Sequence, residues 1–354
     1  MGRTLFERRV WLGGLLMSLA SLMPCALRAQ NCTTQAEMAA ADRDGLGQAA
    51  QSFARLVQTN DAAGVRAATI PQYAQNFEGI AAAIGNTAPK LAGATLQVSS
   101  VYLLDASGNA AMADTQFFCT PASAAAPTIF NLPALPPGRY ALTTVQAVVS
   151  VQQAWQLSFV LQQSAGKWLL AGFIPKPATA GGHDGLWYWK QARVYAKENK
   201  RWNAWLFYAE ADALLSPVNF VSSPNRDKLH AEQEDALPAQ LADGISAEKP
   251  LSVAAWHPLN SSEAKDDGSF VFTAIGTQEA QDGTALELAA HLTAMDVSSP
   301  AAVRARSMNA LLSLLTVYPE LYKAFQGAWV YADAPGQSPF AIEFKPLPIA
   351  ASAP

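Results

Sequence analysis

The sequence predicts an α+β chain in three structural parts. Three observations carry this. The hydrophobic period switches from 3.6 to 2 near residue 95 and stays short up to residue 177. A helical, strongly aromatic stretch begins at Trp187. After residue 245 short strands, one helix and a closing hairpin return. The order is therefore an N-terminal antiparallel sheet with helices, a central helical hairpin, and a small C-terminal α+β region.

Residues 1–29 read as an export leader. Arg3, Arg8 and Arg9 make a basic start, Val10 to Met23 is an apolar run, and Leu27-Arg28-Ala29 is a small-residue cleavage site. A run of about 14 residues is short of the roughly 20 that span a bilayer. The leader is thus read as a cleaved signal peptide, and the mature chain as having no transmembrane segment. Cys25 follows Pro24, a poor setting for lipid attachment. Arg8-Arg9 leaves the general secretory and twin-arginine routes both open. The expected location is the periplasm or the exterior of a bacterial cell.

Removing residues 1–29 takes away four basic residues and Glu7, leaving 20 basic against 27 acidic residues. A mildly acidic chain without basic clusters argues against nucleic-acid partners. Half the chain is apolar and only 15% is charged, so apolar surface is left for a partner to cover. Cys32 and Cys119 are the two cysteines of the mature chain, and an even pair in an oxidising compartment reads as one disulfide. Asn31-Cys32-Thr33 and Asn260-Ser261-Ser262 match the glycosylation sequon, which carries no weight in a bacterial host.

Residues 35–60 predict a helix from the spacing of Phe53, Leu56 and Val57. A second helical segment covers 61–84, broken at Pro71 and stopped by Gly85-Asn86. Leu96, Val98, Ser100, Tyr102 and Leu104 then alternate on one face of a strand. Asp105 to Asn109 is a hairpin-type turn. Strands follow near 114–119, 127–132, 139–151, 154–163 and 168–174.

Helices first, then a meander closed by Gly166-Lys167-Trp168-Leu169-Leu170-Ala171-Gly172-Phe173, resembles the nuclear transport factor two-like (cystatin-like α+β) fold over residues 38–177. The resemblance implies a cone-shaped curved sheet around helices, often with a cavity that holds an acidic, histidine or tyrosine side chain. Tyr102, Asp114 and Tyr73 are the cavity candidates, with surface or core roles as the plainer reading. No histidine precedes His183.

Residues 178–184 form a Gly-rich joint. Tyr188, Ala192, Tyr195, Ala204, Tyr208 and Ala211 then fall at the intervals of a tetratricopeptide repeat, which the segment 185–244 resembles over one repeat. Gln191 departs from that pattern, and Pro217 comes one residue late. One repeat cannot bury both its faces. Core packing is the plain reading of its aromatics. A partner groove built from Trp187, Trp189, Trp202, Trp205, Tyr188 and Tyr208 is the functional one.

A charged helix is expected at 225–242. Strands are expected at 251–256, 269–276 and 284–294, with turns at Asp266-Asp267-Gly268 and Gln281-Asp282-Gly283. A helix starts at Pro300, and Pro319 kinks or restarts it. A hairpin at 327–344 closes the 245–345 region, and the tail 346–354 reads as disordered.

The four histidines are far apart, and no Cys/His cluster has metal spacing. There is no phosphate loop, nucleophile elbow or metalloprotease motif. His183-Asp184 is the one polar pair in a flexible setting, and a linker turn is its plain reading. No catalytic residue, metal or cofactor is expected. The sequence therefore points to an exported non-enzymatic interaction module with a protein partner or self-association. A small-molecule carrier or simple lyase/isomerase using the N-terminal cone is the alternative.

Overall fold

The computed structural model describes residues 31–109, 113–120, 126–255 and 268–348. Residues 1–30 (the expected leader, with Cys25), the residues from Trp256 to Asp267 (with His257 and the second sequon), and the residues from Ile349 onward lie outside the described residues.

The N-terminal half opens with a short strand, β1 (Asn31–Thr34), and the first helix, α1 (Ala40–Gln58), begins only at Ala40. Asp61 caps the next helix by accepting from the Gly64 N–H at 2.8 Å. The segment 61–84 is three helices, α2 (Ala62–Ala67), α3 (Pro71–Gln75) and α4 (Glu78–Thr87). Pro71 starts a helix, its proper place in one. Gly85-Asn86 does not stop α4, and a tighter turn continues to Leu91.

Strands β2 (Thr95–Asp105), β3 (Ala113–Cys119), β4 (Thr128–Leu135), β5 (Arg139–Ser150), β6 (Gln153–Ser164) and β7 (Lys167–Pro177) follow. They do not make one meander. One antiparallel sheet has the order β1-β2-β5-β6-β7, while β3 and β4 form a separate hairpin. The turn after Asp105 therefore leads out of the sheet, and Asp105 stabilises it by accepting from the Ser107 N–H at 2.9 Å. A bulge between Val98 and Ser100 shifts the register of β2 against β5. It also resets the alternation. Leu96 and Val98 face the helices, but beyond the bulge that role passes to Val101 and Leu103. Tyr102 and Leu104 turn to the opposite face. A strict two-residue period cannot foresee this.

Between α1 and the sheet, Leu46, Phe53, Phe159 and Leu157 are buried. Phe53 and Phe159 lie 5.8 Å apart, and Phe159 stacks on Phe173 at 5.3 Å. The opposite face is covered by the β3–β4 hairpin through Phe117 and Phe130. Cys32 on β1 is disulfide-bonded to Cys119 on β3, across 87 residues. A closure of that length is worth about 4 kcal/mol in the chain-entropy account.

The Gly-rich joint is structured. Its strands β8 (Thr179–Ala180) and β9 (His183–Asp184) form a two-stranded ribbon. Gly181 has φ +51°, and a Cβ there would lie 2.6 Å from the Leu286 backbone nitrogen.

The rest of the chain comprises α5 (Gly185–Lys197), α6 (Arg201–Leu215), β10 (Val221–Ser222), α7 (Pro224–Asp235), β11 (Leu251–Ala254), β12 (Ser269–Glu279), β13 (Leu286–Thr293), α8 (Pro300–Val317), α9 (Pro319–Ala324), β14 (Ala328–Asp333) and β15 (Phe340–Phe344). The second five-stranded sheet has the order β11-β12-β13-β14-β15, with one parallel pair, β13 and β14. One continuous core joins Tyr188, Phe207 and Leu214 of the helical hairpin to Phe270, Leu288, Leu314 and Val330 of the sheet and α8. The segments 185–244 and 245–345 thus share their interior. One face of the helical hairpin is thereby covered. The segment expected as one helix over 225–242 ends at Asp235. The tail is packed at its start, where Leu347 is buried and its N–H donates to the Gln326 carbonyl at 3.1 Å.

The two halves touch beyond the joint. β10 pairs with β4. Lys176 Nζ donates to the Ser216 carbonyl at 3.3 Å, and the Ser158 hydroxyl to that of Pro217 at 3.4 Å. No helix among the described residues is long and apolar enough to cross a membrane. That and the disulfide are compatible with export.

Candidate functional site

The helices α5, α6 and α7 enclose the clearest groove of the central region. Each end is fixed locally. Asp184 caps α5 by accepting from the Trp187 N–H at 2.8 Å. Gly185 lets α5 approach α6, since a Cβ there would meet Leu215 Cγ at 2.6 Å. Ser223 caps α7, accepting from the Arg226 N–H at 3.3 Å, with Pro224 in the first turn.

Two charged clasps hold α7 against the hairpin. Arg226 bonds both carboxylate oxygens of Asp212 on α6, at 2.7 and 3.1 Å, and its third contact is the Val221 carbonyl at 2.6 Å. His230 Nε2 lies 3.0 Å from the same carboxylate. Burial raises the Asp212 pKa, but the Arg226 hydrogen bonds and charge, with His230, outweigh it and hold the group below its ordinary value. At the other clasp Arg193 on α5 grips Glu232 on α7 at 2.7 and 2.8 Å. The Trp189 indole N–H donates to Glu232 at 2.8 Å, and the Arg193 guanidinium lies 4.6 Å over the Trp189 ring. The Arg193 hydrogen bond is the main reason that the Glu232 carboxyl stays below its ordinary pKa.

Beside the Asp212–Arg226 clasp lies a cavity of about 240 Å³. It is walled by Leu186, Trp189, Leu215, Pro217, Val221 and Leu229, with Asp212 and Arg226 at its polar side. Leu186 and Leu215 are 50% and 38% exposed. Large aliphatic side chains so exposed beside a concave apolar wall can seat an anchoring side chain from another molecule. Ser216, Ser222, Ser223 and Asn225 join the Asp212–Arg226 ion pair on the polar side of the cavity.

The aromatics expected as a groove divide. Tyr188 is buried and its hydroxyl donates to the Ala180 carbonyl at 2.8 Å. Burial lifts that hydroxyl well above the ordinary tyrosine range. Tyr208 is buried too and is raised to about 12, chiefly by burial and then by Glu232. Trp202 is buried, 4.8 Å from Tyr318, and Trp205 packs partly buried against the same core. Tyr188, Tyr208 and Trp202 thus belong to the core that the hairpin shares with the second sheet, and Trp205 packs at its margin. Trp187 is 38% exposed and stacks on His183 at 3.7 Å. Of the six, Trp189 alone lines the groove. Sequence reasoning missed Leu186, Leu215 and the Asp212–Arg226 pair. Their pairing joins two helices and leaves no local spacing signal.

The cavity candidates of the N-terminal half are not brought together. Tyr102 packs on Phe130 at 5.1 Å on the face away from the helices. Asp114 is exposed on β3 and accepts from the Ala134 N–H at 3.1 Å. Tyr73 is exposed on α3. His183-Asp184 belongs to the joint, where Asp184 is a helix cap. Among the described residues no group of three or more His, Cys, Asp or Glu could hold a metal ion.

No family model matches this chain, and neither a curated protein nor a solved structure matches it.

Proposed function

We propose that this chain is an exported, non-enzymatic interaction module that seats a protein partner in the groove between α5, α6 and α7. The observation that carries the reading is the pair Leu186 and Leu215, exposed at the rim of an apolar cavity whose polar side is the Asp212–Arg226 ion pair. The partner side is an apolar anchor residue. Arg226 and Asp212 at the polar side set its orientation. The leader-like N-terminus and the disulfide support work outside the cytoplasm. The tetratricopeptide-like spacing supports a hairpin suited to holding peptides, here reduced to one repeat whose second face is buried. The alternative, a ligand inside the N-terminal cone, draws less support, since Phe53, Phe159 and Phe173 occupy that space.

Native mass spectrometry of the mature protein from its own envelope fraction tests this. We expect a multimer or a co-purified protein, lost or weakened tenfold or more by Leu186→Arg. A tenfold loss is about 1.4 kcal/mol, modest for truncating an interface anchor. A wild-type monomer carrying nothing would overturn the proposal. So would a complex indifferent to Leu186→Arg and to Trp189→Ala.

A further inference from the structure

The groove wall at α5 continues into a local excess of positive charge. Between Lys190 and Arg201 the sequence holds Lys190, Arg193, Lys197, Lys200 and Arg201 against Glu198 alone, in a chain that is acidic as a whole. Three of these cations are engaged. Arg193 grips Glu232, and Lys200 pairs with Glu198 at 2.6 Å. Arg201 donates to the Asp235 and Leu237 carbonyls at 3.1 and 3.3 Å. Lys190 and Lys197 are exposed and make no ion pair among the described residues.

Positions 186, 190, 194 and 197 are spaced by four, four and three residues, so they share one side of α5. That side reads Leu186, Lys190, Val194, Lys197. Leu186 stands at the cavity, and Val194 is 44% exposed. At 1.5 Å per residue the stripe runs about 17 Å along the helix from the cavity. Apolar side chains alternate on it with uncompensated positive charge. The acidic groups nearby are already committed. Asp184 caps α5, Glu198 takes Lys200, Glu232 takes Arg193, and Asp212 takes Arg226 and His230. Lys176 adds a further cation beside the cavity, where its Nζ donates to the carbonyl of the lining residue Ser216 at 3.3 Å.

The backbone decides between a strand and a helix as occupant. An added strand needs free backbone groups at a sheet edge. β10 supplies Val221 and Ser222 to the cavity wall and pairs with β4. The Val221 carbonyl accepts from Arg226 at 2.6 Å, and the Val221 N–H donates to the Val218 carbonyl at 3.4 Å. That edge is spent. The walls given by α5, α6 and α7 are helix side chains, which another helix meets by its own side chains.

We propose that the partner seated in this groove is an acidic amphipathic helix. One apolar side chain fills the cavity against Leu186, Trp189 and Leu229. A second lies on Val194. Carboxylates beside them face Lys190 and Lys197, and the seven residues between these lysines set the carboxylates two turns apart. The inference rests on the groove reading above and adds the partner's chemistry to it.

Fluorescence anisotropy on the full mature protein tests it with two labelled 15-residue helical peptides. Both carry leucines at i, i+4, i+7 and i+11. One has glutamate at the flanking positions and the other has glutamine there. At low salt the glutamate peptide is expected to bind roughly three- to tenfold more tightly, the gain that two exposed ion pairs supply. Added salt should erase the difference. Lys190→Glu combined with Lys197→Glu should erase it too and leave the glutamine peptide's affinity unchanged. Both lysines are exposed, so this variant folds on the same core. Leu186→Ala should weaken the two peptides alike. Equal binding of the peptides, lost with Leu186→Ala, would overturn the acidic partner and leave the groove reading standing. Binding of neither would overturn the acidic partner as well, and the envelope-fraction complex would then judge the groove alone. A homodimer that the glutamate peptide fails to dissociate would give the stripe to a second copy of this chain. Flotation with phosphatidylglycerol vesicles, abolished by the lysine variant and without peptide binding, would give it to a lipid surface. Either result sinks the acidic helix.

Discussion

At the scale of single residues, the most exacting position is Glu287 on β13. Its side chain is fully buried and neither carboxylate oxygen has a hydrogen-bond donor. A Cβ on Gly327 would collide with it, and the Lys345 ammonium is 3.9 Å away. Burial first, then the charge of Glu343, pushes its pKa from 4.5 up to about 7, with Lys345 opposing. The folded chain therefore holds a proton that the unfolded chain has released between those values. Stability falls as pH rises through that window, and the whole loss is present by pH 8. Glu287→Gln should raise unfolding stability by about 1–3 kcal/mol at pH 8 and change it little at pH 5. Urea unfolding at the two pH values measures this, and an equal effect at both would contradict it. Gly181 is as strict for a steric reason. With φ +51° and the Leu286 nitrogen 2.6 Å from a Cβ, Gly181→Ala should cost about 2 kcal/mol or more, read from the same denaturation curves.

At the scale of elements, α7 decides whether the groove exists. It packs little apolar surface, burying only Leu229 among its own residues. Its position therefore rests on its cap and clasps. Ser223→Ala should cost about 1 kcal/mol and raise amide exchange across Pro224–Asp235 before the rest of the molecule responds. Uniform exchange would refute that. Elements were also where the sequence could be read furthest. The long strands and the start of α8 follow from period and from proline placement. The bulge in β2 did not, because an extra residue flips the alternation without changing composition. β1 and β10 are too short to show a period. The groove itself was half legible. Trp189 stands out by type, but Leu186 and Leu215 look like any helical leucines until Gly185 brings α5 and α6 together.

At the scale of the whole molecule, the buried hydrophobic residues among those described fall into three clusters, two centred in the N-terminal half and one beyond it. The disulfide serves the N-terminal half alone. Reducing Cys32–Cys119 should lower that half's stability by about 3–4 kcal/mol and leave the transition of the C-terminal core where it was. Calorimetry with and without reductant checks this. A single transition moving as one would mean that the two halves unfold as a unit. The segment 216–222 bears on that answer, since its Val218 and Val221 belong to the N-terminal cluster although they lie past the joint.

That backward reach fixes an order of events on the ribosome and in any truncation experiment. The three-stranded sheet β10-β4-β3 cannot be completed until residue 222 has been made. A fragment ending at 177 keeps every long N-terminal strand but leaves the edge of β4 bare and two valine sockets empty. Shortening by domain boundary would thus yield a sticky, incomplete piece. An N-terminal fragment meant to stand alone must borrow its last strand from across the joint.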